Sequence, residues 1–198
     1  TGELAICPGL HPNLTYTNVE QDWILSRSKH IPEHVEAMTL ALATEMDKLE
    51  EVLQAGAHDL VIVGRHGWGS EALVQRLQSM PPPSGVRWLG GVPDLDKRAL
   101  LQSATALVFP SLSEGFGLPV LEAFASQTPV ITSSTTSLPE IAADAALLVD
   151  PCDTQAIAHA MQEIADSPSQ AAHLRRQGLA RVQQYNWQTC AQETAAIY

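Results

Sequence analysis

Basic residues are scarce in this chain. Its 198 residues hold 11 Lys and Arg against 22 Asp and Glu, a formal net charge of -11. A chain without a basic stripe cannot neutralise a run of phosphates, which argues against nucleic acid as a partner. The same balance argues against docking on anionic lipid through this part of the molecule. Any diphosphate must be held by local groups. Cysteine is also rare: Cys7, Cys152 and Cys190 are scattered and odd in number. They form neither a disulfide framework nor a metal-ligand pair. That usage favours a reducing compartment, and the cytoplasm is expected. No apolar run approaches the length of a membrane span, and the first residues lack a basic-then-apolar leader pattern. There is no internal repeat. What remains is ordinary globular composition, 45% hydrophobic and 17% charged, in a chain long enough to bury a full core.

One stretch organises the rest. Residues 109–123 read FPSLSEGFGLPVLEA. The apolar run Ala106 to Phe109 suits a parallel strand buried on both faces. A Ser/Gly loop follows, and then a helix opening near Leu118-Pro119, where the missing proline N–H costs nothing. Gly115 and Gly117 allow close backbone approach to a ligand, and free N–H groups at the helix start attract anions. The device sits at the carboxyl end of a strand, where open α/β sheets bind ligands. Glu114 in the loop and Glu122 one turn into the helix frame it. Carboxylates beside a phosphate site repel phosphates, so their expected work is to accept hydrogen bonds from hydroxyls.

The pattern EGFGLPVLE, with Glu114 and Glu122 separated by seven residues, resembles the signature of retaining GT-B glycosyltransferases of the family-four type. The longer wording PSLSEGFGLPVLEAFASQTPVITS is similar to a group that includes bacterial mannosyl- and glucosyltransferases and sucrose-phosphate synthases. The resemblance runs from about Leu60 to Tyr198 and fades before that. It implies the C-terminal, donor-binding half of such an enzyme: an α/β domain with a doubly wound Rossmann-like parallel sheet of about six strands and helices on both faces. Residues 1–13, with LAICPGLHP, resemble the segment leading from the first GT-B domain to the second. They are expected to be an interdomain linker, and 14–198 the donor domain, with the acceptor-binding domain absent.

Along the chain, Trp23-Ile24-Leu25 is a short strand. Ser26-Arg27-Ser28-Lys29-His30 resembles the family's diphosphate-holding loop in shortened form, making Arg27 and Lys29 candidates for that role; an exposed basic turn is the other reading. His30-Ile31-Pro32-Glu33-His34 fits the H-x-x-E-H zinc pattern. Pro32 would leave His30 outside the helix that chemistry needs, so an exposed helix start is preferred. Periodicity predicts a helix over 32–55, ended by Gly56. Leu60-Val63 is a buried strand closed by the Gly64 turn, and Val86-Leu89 is the next strand. Asp94 is expected to cap a helix through Ala104. A strand at Pro129-Thr132 precedes Ser137-Leu138-Pro139-Glu140, read as a capping box. Ala146-Val149 is the last strand. Helices follow at Asp153 onward, Ser169–Tyr185 and Trp187–Tyr198. Gln127 and Ala143 stand where the family has glycine.

The resemblance also implies roles. Glu122 would accept bonds from ribose hydroxyls, and Glu114 from a sugar hydroxyl. The backbone of Gly115, Phe116, Gly117 and Leu118 would meet the phosphates or the sugar. Gly64 would border the donor, and Val92 would lie where the family's backbone meets the nucleobase. Arg27 and Lys29 would neutralise the leaving diphosphate, with no cofactor and no metal. The expected partner is a nucleotide diphosphate sugar, GDP-mannose ahead of a UDP- or ADP-sugar, used for retaining hexosyl transfer. The missing domain could hold the enzyme at the inner membrane. A nucleotide-sugar-binding module without activity of its own is the alternative. Ser111 and Ser113 are framed by no G-x-S-x-G elbow, and His66 and His159 have no evident partners.

Overall fold

The computed structural model describes residues 22–26 as backbone, together with 58–64, 75, 77–79 and 85–197. Among the described residues, six strands form one sheet: β1 (Asp22–Ser26), β2 (Asp59–Val63), β3 (Val86–Trp88), β4 (Ala104–Phe109), β5 (Val130–Ser133) and β6 (Ala146–Val149). Helices alternate with the later strands: α1 (Asp94–Ser103), α2 (Leu118–Ala125), α3 (Leu138–Ala142), α4 (Thr154–Asp166), α5 (Pro168–Val182) and α6 (Trp187–Ala195). The strand order is β3-β2-β1-β4-β5-β6. This is the doubly wound order, with its switch point between β1 and β4. The Glu114 loop begins at the end of β4, beside that switch point.

Sequence explains why the sheet is covered on both faces. Leu60 to Val63, Ala106 to Phe109 and all of β5 are buried without alternation, as strands are between two layers of helices. The largest fully buried side chains include Phe109, Leu107, Ile131, Leu60 and Ile62 from strands, and Phe124 from α2. Helix α5 packs closely on α2 because it presents Gly178 there. A Cβ at that position would lie 2.5 Å from the Phe124 ring. Helix α4 buries one apolar face, through Ile157, Met161 and Ile164.

Three local expectations need correction. Strand β1 lies antiparallel to both β2 and β4, with Ser26 beside Asp59 and Ala104 at the starts of those strands. The remaining five run in one direction. A three-residue apolar run fits a buried slot either way up, so its pattern carries no sign of direction. Asp94 does not cap α1: Pro93 holds the cap position with no side-chain bond, and Asp94 is the first helical residue. Helix α1 also stops at Ser103, so β4 starts at Ala104, two residues before the expected run. Asp153 and Asn186 cap α4 and α6, their side chains accepting from the N–H groups of Ala156 and Thr189. The linker at 1–13, the helix over 32–55 and the His30–His34 pattern lie outside the described residues.

The two glycine replacements have different geometries. Gln127 closes α2 with φ 56. The N–H of Thr128 bonds the Ala123 carbonyl and that of Gln127 the Phe124 carbonyl, a Schellman ending with a non-glycine residue at its left-handed position. Ala143 has φ 48 and ψ -121, and the Ala145 N–H bonds the Ala142 carbonyl. That is a type II′ turn with alanine where glycine belongs. Ala143→Gly should therefore stabilise the fold by about 1 kcal/mol and raise Tm by about 2–4 °C. A thermal melt with Tm unchanged or lowered would show that the turn holds no such strain.

Candidate functional site

The loop leaving β4 has no regular secondary structure to satisfy its backbone, and hydroxyls do that work. Five such contacts reach it from the stretch TSSTTS at 132–137. Thr132 Oγ1 donates to the Phe109 carbonyl at 2.9 Å, and Ser133 Oγ to the Ser111 carbonyl at 2.5 Å. Both hydroxyl residues are fully buried. Further on, the Glu114 N–H donates to Thr136 Oγ1 at 3.2 Å. Ser137 Oγ lies 3.0 Å from the carbonyl oxygens of both Glu114 and Phe116, sharing its proton between them. Ser137 therefore makes no side-chain cap on α3, contrary to the capping-box expectation. Its hydroxyl is committed to the loop instead.

This clamp decides which way the loop turns its donors. Carbonyls of Phe109, Ser111, Glu114 and Phe116 face the hydroxyl ladder. The N–H groups of Gly115, Phe116, Gly117 and Leu118 meet no acceptor among the described residues. Gly117 sets the final bend with φ 112, and a Cβ there would come within 2.8 Å of Leu138 Cδ2. A Cβ on Gly115 would meet nothing within 4 Å, so that position faces open space. Helix α2 starts at Leu118 with Pro119 in its first turn. Four unanswered donors at a helix start are suited to an anion.

Glu122 is one turn into α2, and its side chain is 19% exposed. Lys97 of α1, 16% exposed, places Nζ 2.8 Å from Glu122 Oε1. It also lies 3.5 Å from Asp94. Burial pushes the Glu122 carboxyl above the ordinary carboxylate range. The Lys97 charge and hydrogen bond act against that rise, and Asp94 adds to it. Lys97 was not legible as a site residue; the only signal is a pair of cations, Lys97 and Arg98, ending the run DLDKR shortly after Val92.

The other expected residues are placed as follows. Glu114 is half-buried in the loop, and Val92 is half-buried against the core. Gly64 ends β2, its N–H bonded to the Gly90 carbonyl and its own carbonyl to Trp88 Nε1 at 3.1 Å. Phe116 is 45% exposed and meets Tyr185 edge-on at 6.0 Å between ring centroids. Arg181 lies over the Tyr185 ring, donates to its hydroxyl and to the Glu140 and Ile141 carbonyls, and ties α3 to the end of α5. Ser111 donates to the Ser113 carbonyl, and His159 is an exposed helix residue. Arg27, Lys29 and His66 lie outside the described residues. Among the described residues, no three His, Cys, Asp or Glu side chains gather as metal ligands, and no helix is long and apolar enough to cross a membrane.

Comparison with known proteins bears on this arrangement. The family model for glycosyl transferases group 1 matches residues 25–181. The chain is 39% identical over 142 residues to an O-antigen chain mannosyltransferase B of Escherichia coli, covering 71% of this chain and 37% of that protein. It is 38% identical over 112 residues to an MMP alpha-(1->4)-mannosyltransferase of Mycolicibacterium hassiacum, covering 54% of this chain and 27% of the relative. The chain thus spans well under half the length of these relatives. Among solved structures, the sucrose-phosphate synthase of Thermosynechococcus elongatus superposes with a TM-score of 0.64 at 30% identity, over 77% of this chain and 41% of that one. WaaG, a glycosyltransferase involved in lipopolysaccharide biosynthesis, shares the fold at 18% identity and a TM-score of 0.58, over 84% of this chain and 48% of its own.

The clamp makes a stability prediction. Ser133→Ala leaves the buried Ser111 carbonyl without its donor and should cost about 1–3 kcal/mol. The exposed neighbour Ser134→Ala should stay within about 0.5 kcal/mol of wild type. Equal Tm losses for the two variants would remove the clamp from the account.

Proposed function

The chain belongs to the glycosyl transferases group 1 family, and from that premise we propose that it binds the donor of a retaining hexosyl transfer. The donor is a nucleotide diphosphate sugar, GDP-mannose ahead of UDP- or ADP-sugars. In this reading Glu122 accepts hydrogen bonds from the ribose hydroxyls and Glu114 from a hydroxyl of the sugar. The N–H groups of residues 115–118 meet the diphosphate or the sugar. Gly64 and Val92 border the nucleoside, Val92 at the base. Arg27 and Lys29 offset the charge on the leaving diphosphate.

The observation that carries this reading is the set of four unanswered N–H groups between two carboxylates. A site for anions alone would not place Glu122 beside them. A site for a ribose and its diphosphate needs both kinds of group. Preorganised dipoles and cations supply the charge stabilisation for which other enzymes use a metal ion, so the reaction proposed is metal-independent. The bond from the anomeric carbon to the phosphate oxygen breaks, and a bond to the acceptor hydroxyl oxygen forms on the same face of the sugar. The acceptor proton passes to the departing phosphate. The names of the mannosyltransferase relatives support mannose as the transferred sugar. The acceptor lies with parts of such enzymes beyond this donor half.

Calorimetric titration with GDP, UDP and ADP tests the reading. One nucleotide, GDP first, should bind. Glu122→Ala should weaken it about tenfold or more, the loss of a charge-assisted hydrogen bond worth about 1.5–3 kcal/mol. Failure of all three to bind would overturn the donor-site reading. Binding without transfer from the matching nucleotide sugar to any acceptor would reduce the chain to a nucleotide-sugar-binding module.

A further inference from the structure

Glu122 occupies an awkward position for a group that must accept hydrogen bonds. Its side chain is largely buried, and burial favours the protonated carboxylic acid, whose hydroxyl donates and so competes with the ligand. A carboxylate that is to accept from neutral hydroxyls has to remain ionised and hold a fixed orientation. One oxygen, Oε1, is held at 2.8 Å by Lys97 Nζ, whereas Oε2 has no hydrogen-bond partner among the described residues. Among the described residues, the charged groups acting on Glu122 are Lys97 and Asp94, both from α1. Asp94 is exposed at 60% and Lys97 only at 16%, so the cation acts at close range in a drier setting. Helix α1 follows directly on the 90–93 turn that carries Val92. Lys97 therefore joins the helix beneath that turn to the helix that carries Glu122.

We infer that Lys97 is a positioning residue for this site: it holds Oε1 of Glu122 and turns Oε2 outward to accept from a nucleoside hydroxyl. This rests on the donor-site reading above. The ammonium does not touch the ligand in this role. It acts through the carboxylate, by fixing its orientation and keeping it charged.

The sign of the pH effect follows. As pH falls through the raised Glu122 pKa, the acid form appears and nucleotide affinity drops. Without Lys97 the opposing influence is gone, so the same drop begins at a higher pH. Lys97→Met keeps the length of the stem and removes the charge, whereas Lys97→Arg keeps the charge.

Two readouts separate the possibilities. The first needs no ligand: carbon-13 NMR titration of the Glu side-chain carboxyls in the purified protein, with the Glu122 signal assigned by its loss in Glu122→Gln. Its midpoint should move to higher pH in Lys97→Met and stay near wild type in Lys97→Arg. The second is calorimetry with GDP across the same pH range. Lys97→Met should bind about tenfold more weakly near neutral pH, recover as pH rises, and be matched to wild type by Lys97→Arg. An unmoved midpoint, or GDP affinity equal to wild type at every pH, overturns the inference; lost affinity with an unmoved midpoint would make Lys97 a direct ligand contact. If wild-type protein binds no nucleotide, the donor-site reading and the ribose assignment fail together, whatever the carboxyl titration shows. Circular dichroism of each variant confirms that it is folded before either readout is scored.

Discussion

The hydroxyl ladder from 132–137 onto the backbone of 109–116 is the constraint on which the crevice depends. A loop that leaves a buried strand still has to satisfy its polar backbone groups. Here the carbonyls are answered from one side, by side chains of the next strand and its exit. Past Glu114, whose N–H also meets the ladder, the N–H groups of residues 115–118 are left without an acceptor among the described residues. Neither glycine nor the helix start would fix that orientation alone. Gly117 permits the bend, and the ladder decides where it points.

That arrangement also fits the charge of the whole molecule. The proposed anionic donor would meet a chain of net charge -11 against that chain's long-range field. Short-range dipoles serve better here than a general basic surface, since they act at contact and leave the surface acidic. The pairing of Lys97 with Glu122 is similar in character. A buried carboxylate is costly unless a cation stands beside it, and the cation is drawn from a helix whose first turn is acidic.

Much of this was legible in the sequence for identifiable reasons. Unbroken apolar runs marked β2, β4 and β5, because burial on both faces leaves that pattern; β6 was marked by the same kind of run although only Val149 of it is buried. The loop motif and the Glu114–Glu122 spacing marked the strand–loop–helix unit of the candidate site, because backbone bends and helix starts are written in glycine and proline. The strained places were readable at Gln127 and Ala143 against the family pattern. What could not be read were contacts between distant segments. Ser137 followed by Glu140 has the local form of a capping box, yet its hydroxyl is turned away from the helix N–H groups to donate to the loop carbonyls. Lys97 and Glu122 are 25 residues apart, and no periodicity links them. The direction of β1 was hidden for the related reason that pairing partners, not the strand's own residues, set it.

Arg181 has a further bearing on how much chain the site needs. Its guanidinium gathers the carbonyls at the centre of α3, the Tyr185 ring and, through that ring, Phe116 of the loop. The sheet is complete by Val149, and the packing of α5 on α2 is complete by Val182. The aromatic support of the loop nevertheless comes from Tyr185, beyond both. A proteolytic cut between Val182 and Tyr185 would thus spare the core and still take away the ring on which the mouth of the crevice rests. The smallest piece of chain that keeps the site whole is longer than the smallest piece that keeps the sheet whole.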